Sequence, residues 1–374
     1  MTVLFRPLID IRGLQCLTDY DFGRQCFLTD DIVGRVIEVQ GDVFILKSRC
    51  YHGNGSADFS AKKLESAVPG FLLESVNNYV IRFFGWKVER RARVEHELLR
   101  MFSRGNMAIP PLIHFSPIKK GLVLVTEAFM ANLKYYKLAD LGVKIEYANF
   151  LIEELDKIHS LGYIHGSISP SNLLISRDSK GVLKRAVDGL EGAFRVGEVP
   201  LGARIKYLKY MAPENLFLEG GFCRSRAADL FSMGLTLFYI LTGHDLWDLD
   251  PNIAGAYDIR NRRVLQKKSV KQQMLRFLAR CPESLNLPSN RLYRQIALGM
   301  GLDSKDYREV REELYLKIKS LSLKGASREK HRTVGELADV IAACLMWDPQ
   351  ERIDIYDSLY QQTDSSDFDL EDVD

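Results

Sequence analysis

The hydrophobic period changes once along this chain, and that change constrains the fold more than any other feature. Before residue 85 the apolar residues come in short, strand-length runs, and beyond residue 88 they recur at helical spacing. VIEV (36–39), Gln40-Gly41-Asp42 and VFILK (43–47) predict a hairpin. FLLESV (71–76), Asn77-Asn78 and YVIRFF (79–84) predict a second, because asparagine tolerates the positive φ of a tight turn. Between them, CYHGNGSADFSAKK (50–63) reads as a polar loop. From Val88 to Arg104 the period lengthens: Val94, Leu98, Leu99, Met101 and Phe102 form one apolar face with arginines between them, which predicts an amphipathic helix. LVLVTEAF (122–129) reads as a buried strand, and the apolar stretch from Leu230 to Thr242 as a buried helix. Strands first and helices later predict an α+β chain of two lobes, with a β-rich N-lobe over 1–130 that includes the helix at 88–104. The helical C-lobe then covers 131–360. The tail QQTDSSDFDLEDVD (361–374) carries six acidic residues and no basic one, so it is expected to be disordered, with too little apolar surface to offset the entropy of ordering.

Composition narrows the class of protein. The 374 residues are 46% hydrophobic and 27% charged, enough apolar material for a large core. A formal net charge of +2 gives no bulk attraction to nucleic acid or to a membrane surface. Six cysteines, at 16, 26, 50, 223, 281 and 344, form no C-x-x-C pair, so they read as buried thiols in a reducing compartment. The opening MTVLFRPLIDIRG places Arg6, Asp10 and Arg12 where a signal peptide would need its apolar run. No stretch reaches the roughly 18 uncharged apolar residues of a membrane span. A cytoplasmic protein without a membrane span is expected.

Four segments, in order, resemble the protein-kinase family. YIHGSISPSNLLI (163–175) looks like the catalytic loop H-R-D-x-K-P-x-N, with His165, Pro170 and Asn172 in register. MAPEN (211–215) is similar to the A-P-E motif, and AADLFSMGLTLFYILTG (227–243) to the D-x-W-x-x-G helix, through Asp229 and Gly234. CLMWDPQERI (344–353) looks like the family's C-L-x-x-D-P-x-x-R segment. In the smaller lobe, VEHELLRMFSRGNM (94–107) is similar to the αC helix, with Glu95 at the ion-pairing glutamate, and YVIRFF to the V-A-I-K strand, with Arg82 in the lysine position. A solvated helix glutamate is the plainer reading of Glu95. The resemblance implies a bilobal protein-kinase-like fold.

It also implies that the chemistry is degraded. Phosphoryl transfer asks a protein for positioning and charge neutralisation. The catalytic aspartate, which accepts the substrate proton, is here Ser167, and the lysine two positions on is Ser169. A hydroxyl cannot accept a proton near neutral pH, and losing a general base removes about 10²–10⁴-fold in rate. Arg82 brings a planar fork in place of an ammonium and is not interchangeable with it. Gly53-Asn54-Gly55 is the nearest approach to a glycine-rich loop, but no glycine follows at the third position, and it reads as a surface turn. Two metal-binding positions remain: Asn172, and Asp188 in AVDGLEG (186–192), which looks like a degraded D-F-G and also reads as an Asp-Gly turn. With Glu95, these are the candidate nucleotide-site residues. The residues implied to be structural are His165, Asp229 and an ion pair between Glu214 and Arg352.

The sequence therefore predicts a pseudokinase, a scaffold or regulatory subunit acting through protein partners. No cofactor is expected beyond weak magnesium-ATP binding. The alternative is an active, divergent kinase-like phosphotransferase using ATP and magnesium. The segment 258–280 holds eight basic residues and one acidic one, which suits an acidic partner or nucleic acid, or is a solvated helix face. Residues 250–332 run longer than the family minimum.

Overall fold

The computed structural model describes residues 8–10, 32–53, 56–68, 71–85, 88–118, 121–178, 180–198, 208–217, 225–248, 274–278 and 305–366. The chain divides into two compact units, one of Met1–Ala131 with Leu174–Glu191, the other of Asn132–Leu173 with Gly192–Asp374. The class is α+β: strands dominate the first unit and helices the second. Leu174–Glu191 lies in sequence beyond residue 131 yet packs with the first unit, so Asp188 is described there.

The first unit is built on a seven-stranded antiparallel sheet. Its strands are β1 (Leu8–Asp10), β2 (Val36–Val39), β3 (Asp42–Gly53), β4 (Ser56–Val68), β5 (Phe71–Gly85), β6 (Leu112–Ile118) and β7 (Gly121–Glu127). They run in the order β2-β3-β4-β5-β7-β6, with β1 also on β5. The first hairpin forms as its sequence predicts. Val39 faces Asp42, and the two residues between, Gln40 (φ 52°) and Gly41 (φ 86°), both take the left-handed conformation that fits the twist of the flanking strands. Alternate residues fill the core: Phe44 and Leu46 from β3, Ala57, Phe59 and Ala61 from β4, Ile81 and Phe83 from β5, Val123 and Val125 from β7.

Two expectations for this region fail. The second hairpin does not exist: residues 71–85 form one 15-residue strand, β5, and Asn77-Asn78 lies within it. The cause is β4, which is 13 residues long and pairs along β5 from Ser56↔Phe84 to Val68↔Phe71, absorbing the mismatch in two register shifts. That ladder satisfies the backbone groups a turn at the asparagines would have left to water. Nor is 50–63 a polar loop. Most of it belongs to β3 and β4, with Ala57, Phe59 and Ala61 facing the core and serine, aspartate and lysine between them.

Helix α1 (Glu89–Arg104) buries Ala92, Glu95, Leu98, Leu99 and Phe102 and packs on β5, β6 and β7. Beyond it, β10 (Leu173–Arg177) and β11 (Leu183–Val187) pair. The Asp178 carboxylate closes their connection, accepting the N–H groups of Lys180 and Val182 at 2.8 Å each. This turn takes up the long gap before Asp188.

The second unit is helical. A two-residue strand, β8 (Ala131–Asn132), leads to α2 (Leu141–Ser160), which starts at the Asp140 cap. The short strands β9 (Tyr163–Ile164) and β12 (Phe194–Arg195) pair with each other. The helices α3 (Pro213–Phe217), α4 (Arg226–Thr242), α5 (Tyr307–Ser322), α6 (Arg328–Cys344) and α7 (Pro349–Ser366) follow. α4 is buried along nearly its whole length and packs on α2, α5, α6 and α7. Gly234 lets α4 and α6 approach closely, since a Cβ there would lie 2.7 Å from the Cys344 Cβ. Ser225 caps α4 at its start and Gly243 (φ 77°) at its end.

Helix α7 continues to Ser366, into the segment read as tail; residues 367–374 lie outside the described residues. So does most of the basic segment 258–280, of which only 274–278 is described, as helix with Met274, Leu275, Phe277 and Leu278 buried. Among the described residues no helix is long and apolar enough to cross a membrane.

Candidate functional site

In the first unit the strand register decides the geometry. Ile81 and Phe83 enter the core, so Arg82 between them points to the opposite face of the sheet. Asp58 does the same between Ala57 and Phe59, and it sits directly across from Arg82 in the β4–β5 pairing. The Arg82 Nε donates to Asp58 Oδ1 at 2.9 Å. Its Nη1 donates to Glu95, which α1 delivers from its buried face. Its Nη2 lies 3.9 Å from Asp188 Oδ2, just past the end of β11. One guanidinium thus has carboxylates on three sides. Glu95 is not a solvated helix residue, being 2% exposed. Asp188 is followed by Gly189 at the positive φ of 86°, and its carboxylate faces Arg82.

In the second unit the catalytic-loop segment is held from below. Asp229, at the start of α4, accepts the N–H of His165 at 2.7 Å and that of Gly166 at 2.8 Å, and His159 Nε2 lies 3.0 Å from its Oδ2. Burial alone would raise this carboxyl, but the His159 hydrogen bond and charge, His165 and the Gly166 amide reverse the effect and hold it below the ordinary range. Gly166 occupies the middle position of H-R-D at φ 70°, where a side chain would be strained. The His165 Nδ1 accepts the N–H of Ser167 at 3.2 Å, and Asn172 Nδ2 donates to the Ser167 carbonyl at 2.7 Å. The loop is therefore folded and cross-braced around Ser167. An added Cβ at Gly192 would lie 2.9 Å from the Ser167 Oγ, so the backbone passes close to that hydroxyl. Ser169 is fully buried, and its hydroxyl has no hydrogen-bond partner among the described residues.

Arg352 and Glu214 meet in the same unit. The guanidinium is completely buried, with Nη1 and Nη2 donating to the two Glu214 oxygens at 3.0 and 3.4 Å. It also donates to the carbonyls of Ala227, Met346 and Trp347, and it stacks 4.9 Å over the Phe231 ring.

Magnesium-ATP, which this kind of fold implies, can be tested against these groups. Asn172 uses its amide nitrogen on the loop and keeps its oxygen outside that bond, as a metal ligand would. The residues of the first unit do not fit. Triphosphate needs a cation with donors to spare, whereas Arg82 already faces three carboxylates. Among the described residues no group of three or more His, Cys, Asp or Glu side chains could hold a metal ion. Asn54 and Gly55 of the loop lie outside the described residues.

Two participants escaped the sequence reading. His159 carries no signal beyond its place six residues before His165. Asp58 does carry one: it stands five residues after Gly53, where G-x-G-x-x-G has its third glycine.

Comparison with known proteins identifies the family. The protein kinase domain family matches residues 85–362, well over half of the chain. The chain is 36% identical over 118 residues to the serine/threonine-protein kinase CHK1 of Saccharomyces cerevisiae, covering 29% of this chain and 22% of that protein. It is 34% identical over 135 residues to the CHK1 kinase of Mycosarcoma maydis, covering 34% of this chain and 20% of the relative. A probable cell division protein kinase of Encephalitozoon cuniculi is 26% identical over 184 residues, 49% of this chain and 64% of that one. The chain thus matches only about a fifth of the length of each CHK1 relative. With the ordered motifs, the β-rich and helical units and the match over 85–362 in agreement, this chain belongs to the protein kinase domain family.

Proposed function

We propose that this protein is a pseudokinase, a kinase-fold protein that does not transfer phosphate and acts through protein contacts as a scaffold or regulatory subunit. The observation that carries the reading is the guanidinium of Arg82, which stands in for a phosphate-holding lysine and is bound to Asp58 and Glu95 with Asp188 at 3.9 Å. The catalytic loop adds to it. Ser167 supplies neither a base nor a negative charge, and the buried Ser169 supplies no cation. Meanwhile Asp229 and the amide nitrogen of Asn172 are engaged in holding the loop. Such a chain keeps a rigid surface for partners without the machinery for chemistry. No metal, nucleotide or other cofactor is required for that role.

The second reading, an active divergent phosphotransferase, is favoured by one feature, the metal-competent oxygen of Asn172, and is compatible with similarity to serine/threonine kinases. Incubation of the purified chain with γ-labelled ATP, magnesium and a mixed substrate pool separates the two. No incorporation above a heat-killed control is expected. Transfer approaching one event per second would overturn the pseudokinase reading and establish the second.

A further inference from the structure

We propose that Asp58 is a built-in anion that takes the place of a nucleotide phosphate at Arg82 and keeps the first unit closed to nucleoside triphosphates and other polyphosphates. The inference rests on the pseudokinase reading and assigns a residue to the exclusion. Its first support is position. Asp58 is where the phosphate-covering loop of a kinase has its third glycine, a residue without a side chain at the place of closest approach. Here that place carries a carboxylate.

The second support is register. Asp58 and Arg82 are direct cross-strand partners on the face away from the core, because Ala57, Phe59, Ile81 and Phe83 occupy the core face. Opposite charges at such a pair stabilise the pairing. Separating the two side chains therefore means slipping the β4–β5 ladder or swinging a side chain that is only 11% exposed.

The third support is donor accounting. A guanidinium offers five N–H groups along three nitrogens. Asp58 takes the Nε edge, Glu95 takes Nη1, and Asp188 stands opposite Nη2. Glu95 pairs with Arg82 on a different nitrogen from Asp58, so the Glu95–Arg82 ion pair does not need Asp58. A polyphosphate arriving at Arg82 must displace a carboxylate already seated there and meet the other carboxylates beside it. Like charges in a partly desolvated place repel, which lowers the affinity of any polyphosphate at Arg82. Asp58 is the member whose loss leaves the Glu95–Arg82 pair standing while freeing the Nε edge.

The test is calorimetric titration of ATP, with and without magnesium, and of inorganic tripolyphosphate into the wild-type protein, Asp58→Asn, Asp58→Gly and Glu95→Gln. The wild type is expected to show no saturable binding. Both Asp58 variants are expected to bind tripolyphosphate and ATP at least about tenfold more tightly, with affinity that falls as salt rises and is lost in Asp58→Asn/Arg82→Ala. Glu95→Gln removes the same charge but keeps Asp58 on the Nε edge, and it should gain less than either Asp58 variant. If Asp58→Gly loses the fold, the isosteric Asp58→Asn, checked by its melting curve, decides the matter. Folded Asp58→Asn with no gain overturns the inference, as does an equal gain in Glu95→Gln, which would make bulk charge the cause. Phosphate transfer by the wild type would instead overturn the underlying reading, so the two failures are distinguishable.

Discussion

Two ionic clusters built around an arginine, one in each unit, show different uses of charge. Arg352 in the second unit is completely buried and faces a single carboxylate, Glu214, while backbone carbonyls and the Phe231 ring take the rest of its fork. Arg82 in the first unit is 15% exposed and faces three carboxylates. A buried charge matched by one counter-ion and by neutral dipoles satisfies every donor at the lowest charge, which is what a structural anchor needs. Surplus carboxylates add repulsion that stability does not need. The difference teaches that the arginine of the second unit is placed to hold the fold, whereas that of the first gathers more carboxylates than a single ion pair uses, which is what the proposed exclusion of phosphates builds on.

Breaking the anchor should have the largest effect. Arg352→Ala leaves Glu214 with no partner for its buried edge and removes several hydrogen bonds to carbonyls. A loss of about 3–5 kcal/mol is expected, read as a sharp fall in the denaturation midpoint or as loss of soluble expression. A variant as stable as the wild type would erase the contrast between the clusters.

Asp229→Asn should come next. The amide can still meet one backbone N–H but no longer attracts His159, and the hydrogen bonds to a charged acceptor that it weakens are worth about 1.5–3 kcal/mol. The pH dependence sharpens this test. The fold holds the Asp229 carboxyl below the ordinary carboxylate range, so its contribution is fully present above that range. It is lost as pH falls from there through the lower folded value, where the unfolded chain binds the proton first. Asp245, also held low, acts in the same direction: burial opposes the shift, and Tyr210 and Lys134 outweigh it. Melting midpoints measured from pH 7 to pH 2 should fall below about pH 4 in the wild type and fall less steeply in Asp229→Asn. Parallel curves would show that Asp229 is not a charged anchor.

The smallest effect on stability is expected from Asp58→Asn. The hydrogen bond to Arg82 Nε is weakened, by about 0.5–1.5 kcal/mol at most, and the relief of repulsion from Glu95 and Asp188 offsets part of it. A change within about 1 kcal/mol by chemical denaturation is expected. A loss as large as that of Arg352→Ala would make Asp58 an anchor too, and the two regions would no longer differ in kind.

The same division runs through what the sequence discloses. In the second unit the structural roles demand particular residues at fixed spacing: an aspartate at the start of α4, a glycine where α4 meets α6, an arginine beneath the A-P-E segment. Asp229, Gly234 and Arg352 were legible for that reason. In the first unit the Gln40-Gly41 turn could be read because positive φ leaves a mark on residue type. β4 could not, because its core face is Ala57, Phe59 and Ala61, and two alanines among serine, aspartate and lysine give little hydrophobic contrast. Asn77-Asn78 misled because turn propensity is local, whereas the strand is decided by a long neighbour that supplies the whole ladder. Asp58 was hidden by the same kind of distance. Its meaning depends on standing opposite Arg82, 24 residues away, and register becomes visible only once the sheet is formed. The family match begins at residue 85, the last residue of the strand that carries Arg82, so both Asp58 and Arg82 lie outside the matched span.

The most direct test of the central claim, that the charge around Arg82 leaves no place for phosphates, is the thermal melt of the unmodified protein with and without ATP and magnesium. A dissociation constant of about 1 mM or weaker gives, at about 1 mM ATP, no more than about 0.4 kcal/mol of stabilisation. For a chain of this size that is a shift of roughly 1 °C or less, and this is the predicted result. A magnesium-dependent rise of several degrees, abolished by Arg82→Ala and by Asn172→Ala, would contradict it and would establish a working nucleotide site.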